Sequence, residues 1–510
     1  AQGGLRIALQ ATLGGGLPGV KRFFEGYPHT CLEQQASRAI GLRDAQRWSE
    51  LMQQLPTHLD GDGLAAYFPL QEGAGPQGSV ALTAYLLSIS HEAGWRLPDE
   101  TRERLLTGLS DVVQGRIRRS TWAPSGVAQA VVNDVQRVNA LDALSRHGRA
   151  DARMLDTVSP TLGDWPTAAV IQWWEVLQRL PAALSREARM KDAEQTLRSR
   201  LTYSGTTLRF STEAQDFWWW TMDSADANAA RLILAVRQLP AWKGELPRLV
   251  VGALGRQRNG AWLTTPANAW GTLALERFGQ QAERTPISGR SVVKLAAAEA
   301  TLDWASAPTG QVLALPWPVQ AVKGGAPTSQ PLQLRQDGTG APWATVQALS
   351  AVPLKAPVQA GYAVRRTVSV VDAPSAAPRT ASGTARGAPY ARGTVLRVTL
   401  EIDAQADMNW VAVQDPIPGG ATLLGSGLGR DSHQATRGEQ TAGAWPSHVE
   451  RAQDAWRAYY AFLPKGRHRV DYTVRLNNPG RFTVPPTRVE AMYAPDSFGE
   501  SPQPSVEVAP

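Results

Sequence analysis

"EGYPHTCLEQQAS", residues 25 to 37, holds the only cysteine of the 510-residue chain, Cys31, and places Gln34 three positions after it. Pro28 precedes a segment, beginning at Cys31, whose composition is that of a helix. On a helix, side chains at i and i+3 lie on one face, with Cβ atoms about 5–6 Å apart. The thiol of Cys31 and the carboxamide of Gln34 are therefore expected to lie close enough to react.

Three interpretations of Cys31 are open on the residues alone. Free cysteine is among the most buried residue types, so a structural core cysteine is the ordinary interpretation. A Cys/His nucleophile would use His29, although nothing marks an Asn or Asp that would orient the imidazole. In the third, loss of ammonia joins the sulfur to the side-chain carbon of Gln34 as an internal thioester. Such an activated acyl group survives only where water is excluded.

Composition and charge narrow the class of protein. A chain of this length is too long for one core and predicts two to four domains. One cysteine excludes a disulfide framework within the chain and thiolate metal clusters, and no zinc spacing or dinucleotide fingerprint appears, so no metal or cofactor is expected. The net charge is +7, but the basic residues are scattered without interleaved aromatics, which argues against nucleic acid. No apolar run approaches the ~18 residues of a membrane span.

Helical periodicity dominates the chain up to about residue 285. Apolar residues recur at helical spacing in "SVALTAYLLSISHEAG" (79–94), "AVIQWWEVLQRLPAAL" (169–184) and "ANAARLILAVRQL" (227–239). Gly, Pro and Asp punctuate the short connections between such segments. Repeated helical hairpins that bury both faces commonly close into a ring, so this pattern favours an α/α toroid.

After residue 285 the hydrophobic period changes to two. "GQVLALPW" (310–317), "TVLRVTLEID" (394–403) and "HRVDYTVRL" (468–476) are typical of strands in a β-sandwich. The Pro-, Gly- and Ser-rich residues 373–393 indicate a long loop. "HVERAQDAWRAYYAF" (448–462) is predicted to form a helix followed by a strand.

The motif and its flanks resemble a known family. "GYPHTCLEQQASR" (26–38) resembles the C-x-E-Q thioester motif of the α2-macroglobulin and complement superfamily, in the Leu-containing form typical of bacterial α2-macroglobulins. Leu32 and Glu33 then belong to the motif without being bonded partners. The resemblance continues in "LPGVKRFFEGYP" (17–28) and returns in "VQDPIPGGATLL" (413–424) and in residues 459–501.

The resemblance implies a domain plan that agrees with the change of period. The family places an α/α-toroid thioester domain within a β-sandwich CUB domain and ends with a macroglobulin-like domain. The implied fold class is thus multidomain α + β. Residues 1–12 would be a CUB strand, 13–285 the thioester domain, 286–360 the rest of the CUB domain and 361–510 the C-terminal macroglobulin-like domain.

The resemblance also implies roles for individual residues. Cys31 and Gln34 would form the thioester. In bacterial members, an aromatic residue before the cysteine and a methionine of the last domain look like a lock that keeps water from the bond. Tyr27 and Met492 occupy the matching places. Complement-type members carry a histidine just before the "ALTA" helix, and this histidine redirects the bond toward hydroxyls. Here residues 69–80, which lead to that helix, contain no histidine. Amines are therefore the expected nucleophiles.

By resemblance, the function is that of a broad-spectrum protease inhibitor rather than an enzyme. Lysine amines of a target protease would attack the thioester, so that the protease is captured covalently. The partners implied are the target proteases, upstream macroglobulin and bait domains that lie outside this sequence, and a peptidoglycan synthase. The implied setting is the periplasm, with a lipid anchor to the inner membrane through the missing N-terminal part and a role in host defence.

A different class of protein competes with this one. An enzyme on an α/α toroid, such as a polysaccharide lyase or a terpene cyclase, would leave Cys31 an ordinary free cysteine. It would need a cleft lined by paired acids or by Tyr, His and Arg, and no motif in the sequence indicates one.

Overall fold

Helices occupy the first part of the chain and strands the second, as the change of hydrophobic period predicts. The structure is a computed structural model that describes residues 3–14, 16–71, 73, 75–212, 218–283, 285–317, 330–350, 354–371, 389–425 and 436–510. The chain divides into two units, residues 1–351 and 352–510. Most of the loop predicted at residues 373–393 lies outside the described residues.

Eleven α-helices are described in the first unit, and none of them is long and apolar enough to cross a bilayer. They are α1 (Pro18–Gly26), α2 (Leu32–Gly41), α3 (Ala45–Gln54), α4 (Val80–Ala93), α5 (Asp99–Val113), α6 (Gln129–Arg146), α7 (Thr167–Arg179), α8 (Arg186–Ser199), α9 (Ala225–Val236), α10 (Leu246–Leu254) and α11 (Thr265–Ala282).

Six of these helices form a closed ring. Helix α2 contacts α4, α4 contacts α6, and the series continues through α7 and α9 to α11, which returns to α2. Helices α3, α5, α8 and α10 contact the ring helices as well. A helix covered on all sides must be apolar on all sides, and α7 buries every residue from Thr167 to Leu177. The other ring helices are also largely buried. The helical segments predicted at residues 79–94, 169–184 and 227–239 therefore lie in the inner layer of the ring.

A buried ion network joins three of the ring helices. Asp142 of α6 accepts a hydrogen bond of 2.9 Å from Arg179 of α7 and one of 3.2 Å from Arg146 on its own helix. The guanidinium of Arg231 on α9 lies 3.6 Å away. Burial would raise the pKa of Asp142, but the three guanidinium groups lower it to about 2. The carboxylate is therefore ionised at neutral pH and holds these helix ends together.

The strands of the first unit are β1 (Gly3–Gln10), β2 (Leu201–Ser204), β3 (Thr207–Phe210), β4 (Arg290–Leu295), β5 (Ala298–Asp303), β6 (Gly310–Pro316), β7 (Leu332–Asp337) and β8 (Trp343–Ser350). Strand β1 pairs antiparallel with β6 and β8, which lie more than 300 residues later. Leu5, Ile7 and Leu9 of β1 share a core with Val293 of the sheet β5-β4-β7 and with Trp304, the residue after β5. The helical ring is thus an insertion between strands of one sandwich.

The strands of the second unit are β9 (Val358–Ala360), β10 (Tyr362–Val370), β11 (Val395–Ala404), β12 (Met408–Pro416), β13 (Thr422–Leu423), β14 (Thr441–Ala442), β15 (His448–Arg451), β16 (Ala455–Leu463), β17 (Gly466–Arg475), β18 (Gly480–Phe482), β19 (Thr487–Ala491), β20 (Phe498–Ser501) and β21 (Val506–Val508). One large sheet has the order β10-β11-β17-β13, with β14 also paired to β17, and the other large sheet has the order β15-β16-β12-β19-β20-β9. Strands β18 and β21 form a separate pair.

The helix predicted within residues 448–462 is wrong, because this segment forms strands β15 and β16. Its polar first half has a helical spacing, but Trp456, Tyr459 and Tyr460 are almost completely buried. Strand β16 lies between β15 and β12, and Trp456 stacks on Tyr472 with ring centroids 5.0 Å apart. Packing of aromatic side chains between strands therefore overrides the local helical pattern.

Asp415 of β12 ties the two large sheets of the second unit together. It has no exposed surface and accepts hydrogen bonds from Arg366 and Tyr472 of one sheet and from Thr487 of the other. Gln503 adds a hydrogen bond of 2.8 Å. Burial would lower the pKa of Arg366, but the Asp415 carboxylate raises it above its ordinary value.

Replacing Asp415 by Ala should destabilise the second unit by about 3–5 kcal/mol, because the buried Arg366 guanidinium would lose its counter-charge. Urea unfolding, with hydrogen–deuterium exchange of β12 peptides to report on this unit alone, measures the loss. Glu401→Gln is the matched control. Its partner Arg365 is 3.8 Å away and both side chains are exposed, so no measurable change is expected. Equal losses in the two variants would contradict the role given to Asp415.

Candidate functional site

The segment that carries Cys31 is a short extended link between two helices. Helix α1 ends at Gly26, the backbone is extended at Tyr27 and again at Cys31, and α2 begins at Leu32. Pro28, within the link, lacks the N–H that a continuing helix would need. Cys31 therefore becomes the N-cap of α2, and Gln34 becomes the third residue of the helix.

Cys31 and Gln34 are held together by crossed hydrogen bonds. The backbone N–H of Cys31 donates to Oε1 of Gln34 over 3.1 Å, and the Cys31 side chain accepts from the backbone N–H of Gln34. This reciprocal arrangement is a capping box in which cysteine takes the place of the usual Ser or Thr. The sulfur and the carboxamide therefore meet at the same end of α2, as the i, i+3 spacing predicts.

The pair is enclosed. Cys31 has no exposed surface and Gln34 is 1% exposed. The hydroxyl of Tyr27 accepts a hydrogen bond of 3.3 Å from Nε2 of Gln34. The Tyr27 ring packs on Phe23, with centroids 5.1 Å apart, and meets His29 edge-on at 5.4 Å. An aromatic ring thus lies beside the carboxamide, where water would have to enter.

Glu33 attaches the first turn of α2 to the rest of the ring. Its carboxylate is buried and accepts from Oγ1 of Thr265 through both oxygens, over 2.9 and 3.0 Å. Oγ of Ser37 donates to the same carboxylate over 2.5 Å. Thr265 is the first residue of α11, so the negative charge lies near the N-termini of two helices, where it is favoured.

Behind Ser37 lies Tyr85 of α4, whose hydroxyl is 2.6 Å from the serine oxygen. Burial, together with the charge of Glu33, raises the pKa of Tyr85 well above its ordinary value. The tyrosine is therefore protonated and donates to Ser37, which in turn donates to Glu33. This chain of bonds runs from α4 through α2 to α11 and fixes the helix that carries Gln34.

Leu32 is completely buried, and its backbone N–H donates to the carbonyl of Tyr67 over 2.8 Å. The segment that leads into residues 69–80 therefore runs directly beside the Cys31–Leu32 step. Tyr67 itself is buried. It stands two residues before the segment 69–80, which contains no histidine.

Met492 lies in the second unit, at the start of the turn between β19 and β20, and is 3% exposed. Its backbone N–H donates to the carbonyl of Trp410 over 3.0 Å. Trp410 has a φ of 52°, in the left-handed region that a bulky residue avoids. Such a conformation costs about 1–3 kcal/mol and is held by its surroundings, which marks this turn as a specified feature.

The residues of the motif are visible in the sequence, but the residues that support them were not predicted. Ser37 stands four positions after Glu33, the helical spacing at which two side chains meet, and this was an available signal. Thr265 and Tyr85 belong to other helices, and only the closure of the ring brings them to Glu33.

Comparison with known proteins shows which proteins this chain resembles. Residues 361–496 match the model of the bacterial alpha-2-macroglobulin MG10 domain. A curated relative, the alpha-2-macroglobulin homolog of Nostoc sp., is 24% identical over 449 residues. The match covers 86% of this chain and 22% of the relative, so the chain spans about a fifth of the length of that protein.

Solved structures show the same fold over the whole chain. The crystal structure of native Escherichia coli alpha-2-macroglobulin from domain MG7 to the C-terminus matches with a TM-score of 0.69 and 18% identity, covering 100% of this chain and 79% of that one. Salmonella alpha-2-macroglobulin reacted with methylamine matches with a TM-score of 0.65 and 18% identity, covering 99% and 32%. The predicted resemblance to the C-terminal portion of bacterial alpha-2-macroglobulins is confirmed.

Replacing Glu33 by Gln should lower the free energy of unfolding by about 1–3 kcal/mol, because an amide nitrogen cannot accept the hydrogen bonds of Thr265 and Ser37. Amide hydrogen exchange of α2 should accelerate in parallel. Glu50→Gln is the control. Glu50 is exposed, and the one contact described for its side chain is a surface hydrogen bond of 3.0 Å from Gln46. Unchanged exchange of α2 in Glu33→Gln would show that the carboxylate does not anchor the helix.

Proposed function

We propose that this chain is the thioester-bearing C-terminal portion of a broad-spectrum protease trap and not an enzyme. The observation that carries the proposal is the buried capping box in which Cys31 and Gln34 hold each other's polar groups. A structural cysteine needs no carboxamide beside it. A Cys/His nucleophile needs access for substrate, which a side chain without exposed surface does not offer.

The closed ring of α2, α4, α6, α7, α9 and α11 supports its interpretation as an α/α-toroid thioester domain. The sandwich of β1 and β4–β8 would then be the CUB domain, interrupted by the toroid, and the second unit the macroglobulin-like domain. On this interpretation the domains are residues 1–12 with 286–360, 13–285 and 361–510.

The reaction proposed is acyl transfer. The sulfur of Cys31 replaces the amide nitrogen of Gln34 and ammonia leaves. When a lysine amine of the captured protease later attacks the same carbon, the thiolate leaves and a stable amide joins trap and protease. Amines are the expected nucleophiles because residues 69–80 hold no histidine that could first take the acyl group.

Protection of the bond is assigned to Tyr27 and Met492. Tyr27 lies against the Gln34 carboxamide. Met492 is proposed as the second half of the cover, which leaves when cleavage of an upstream bait segment releases the last domain. A thioester needs such a cover because hydrolysis would otherwise consume it before a target arrives.

The proposed setting is outside the cytoplasm, in the periplasm, where a trap would meet foreign proteases as part of host defence. Upstream macroglobulin and bait domains, a lipid anchor to the inner membrane and association with a peptidoglycan synthase are proposed from the resemblance. No nucleic acid or cofactor enters the proposed mechanism.

The alternative of an enzyme needs a substrate cavity, and one polar candidate among the described residues lies at the centre of the ring. Tyr85, Gln172, Asp223 and Arg231 line it, but its volume is about 30 Å³. Small-molecule sites measure about 300–1,000 Å³, whereas one water needs only about 10–15 Å³. A cavity of this size cannot admit a sugar chain or a terpene. A larger groove of about 380 Å³ runs beside β1 and α1, but the charged side chains among its described lining residues are Lys21 and Arg43, with no paired acids. The trap is therefore favoured over a polysaccharide lyase or terpene cyclase.

The chain purified without amines should have a mass one ammonia below that of its sequence. It should also have no free thiol for alkylating reagents to label. Methylamine should then release the Cys31 thiol and add one methylamine to the chain. Cys31→Ala removes both signals, whereas Gln34→Ala retains the thiol at full mass. A full-mass wild-type chain that is unchanged by methylamine would refute the proposed function.

Replacing Met492 by Ala should leave the thioester formed but let methylamine react several-fold faster, because part of the cover is removed. Met492→Leu should keep the wild-type rate. Met408→Ala is the matched control, being a buried methionine of the same unit that no role is assigned to. The rate is followed as appearance of free thiol. Equal rates in Met492→Ala and Met408→Ala would remove Met492 from the cover.

A further inference from the structure

The two hydrogen bonds that hold the Gln34 carboxamide point to a chemistry beyond protection. Its oxygen accepts from the backbone N–H of Cys31 over 3.1 Å, and its nitrogen donates to the hydroxyl of Tyr27 over 3.3 Å. Thioester formation makes that oxygen negative and expels that nitrogen. Each reacting atom of the carboxamide thus already touches a group suited to its fate.

We propose that the chain catalyses its own thioester closure, with the Cys31 N–H as the oxyanion donor and the Tyr27 hydroxyl as the general acid. This inference rests on the proposed function, since it concerns how the same bond is made. It gives the Tyr27 hydroxyl a task separate from the covering role of its ring.

The step balances as follows in atoms and protons. The Cys31 sulfur bonds to the side-chain carbon of Gln34, and the thiol proton passes to solvent. Attack makes the carbon tetrahedral, which frees the lone pair of the nitrogen and lets its hydrogen bond with Tyr27 reverse. The bond from carbon to nitrogen then breaks as the Tyr27 hydroxyl gives its proton to the nitrogen, which leaves as ammonia. Tyr27, which is partly exposed, regains a proton from solvent. The products are one thioester and one ammonia, with no oxidant, reductant or co-reactant.

The oxyanion donor is fixed before the reaction starts. The Cys31 N–H lies at the N-cap of α2, so the positive end of the helix dipole faces the oxygen that becomes charged. Pre-oriented donors of this kind contribute about 10²–10³ in rate. The Glu33 contacts with Thr265 and Ser37 hold the turn that aims this N–H. The same donor would receive the oxyanion again when an amine opens the bond.

The general acid is selected by position. Amide nitrogen is a poor leaving group unless it is protonated as the bond breaks, so a hydroxyl in contact with it is the natural donor. The Tyr27 ring is held between Phe23 and His29. Removing only the hydroxyl should therefore leave the ring, and with it the cover, in place.

The experiment follows closure as the full chain refolds from denaturant, starting from material in which Cys31 and Gln34 have not reacted. Loss of labelling by a thiol reagent and loss of one ammonia in mass report closure. Tyr27→Phe should close at least about tenfold more slowly than wild type. General acid–base catalysis contributes about 10²–10⁴ in rate, so a tenfold loss is the smallest effect expected. Once closed, Tyr27→Phe should also be opened by methylamine more slowly than wild type, because amine attack is closure run in reverse and the same hydroxyl serves both directions. Tyr203→Phe, which removes a distant exposed hydroxyl, is the matched control and should close normally.

A second variant guards against misfolding. A chain with 3,5-difluorotyrosine at position 27 keeps the shape and the hydroxyl, but the hydroxyl ionises at lower pH. Its closure rate should therefore begin to fall at a lower pH than that of wild type. Superimposable pH profiles would contradict general-acid catalysis even if Tyr27→Phe failed to fold.

The outcomes separate this inference from the proposed function. If Tyr27→Phe closes at the wild-type rate, the catalytic hydroxyl is refuted while the thioester stands. If wild type taken from cells is closed but the refolded chain never closes, self-catalysis is refuted. If wild type taken from cells is never closed, the proposed function itself fails.

Discussion

The crossed hydrogen bonds at the start of α2 are the constraint on which the candidate site depends. A capping box normally completes the unpaired N–H groups of a helix end. Here Cys31 and Gln34 fill its two positions, so the interaction that begins the helix also places a thiol and a carboxamide at the same helix end. Local folding and the proposed chemistry therefore use the same atoms. Any change that moves the first turn of α2 changes both.

The ring of helices keeps that turn in place. Glu33 stands between the two reacting residues, and its carboxylate is fixed by Thr265 at the start of α11 and by Ser37. A buried carboxylate bound by hydroxyl groups and by helix ends has little freedom, since each lost contact would expose an unmet charge to an apolar interior. The first and last helices of the ring, α2 and α11, are therefore joined at the candidate site itself. The residue with no bonded role in the motif is the one that connects the motif to the fold.

The second unit has its own centre of polar order, at Asp415, where both sheets and Gln503 converge. Near it on the same strand, Trp410 adopts a positive φ and directs its carbonyl to the turn that bears Met492. Strain of this kind needs rigid surroundings, and the buried strands β12 and β16 supply them. The methionine proposed as a cover is therefore presented by an ordered turn.

The sequence by itself determined the division into a helical part and a strand-rich part, because hydrophobic periods of 3.6 and 2 are local properties. It also put forward Cys31 and Gln34 as the candidate pair, through the resemblance of their motif together with a three-residue spacing that needs only one turn of helix. It failed at residues 448–462, where burial of Trp456 between two strands outweighs a helical pattern. Only the tertiary structure brought Thr265 and Tyr85 to the motif and paired β1 with strands 300 residues away. Such contacts depend on ring closure and strand pairing across the chain, and no local pattern of side chains encodes them.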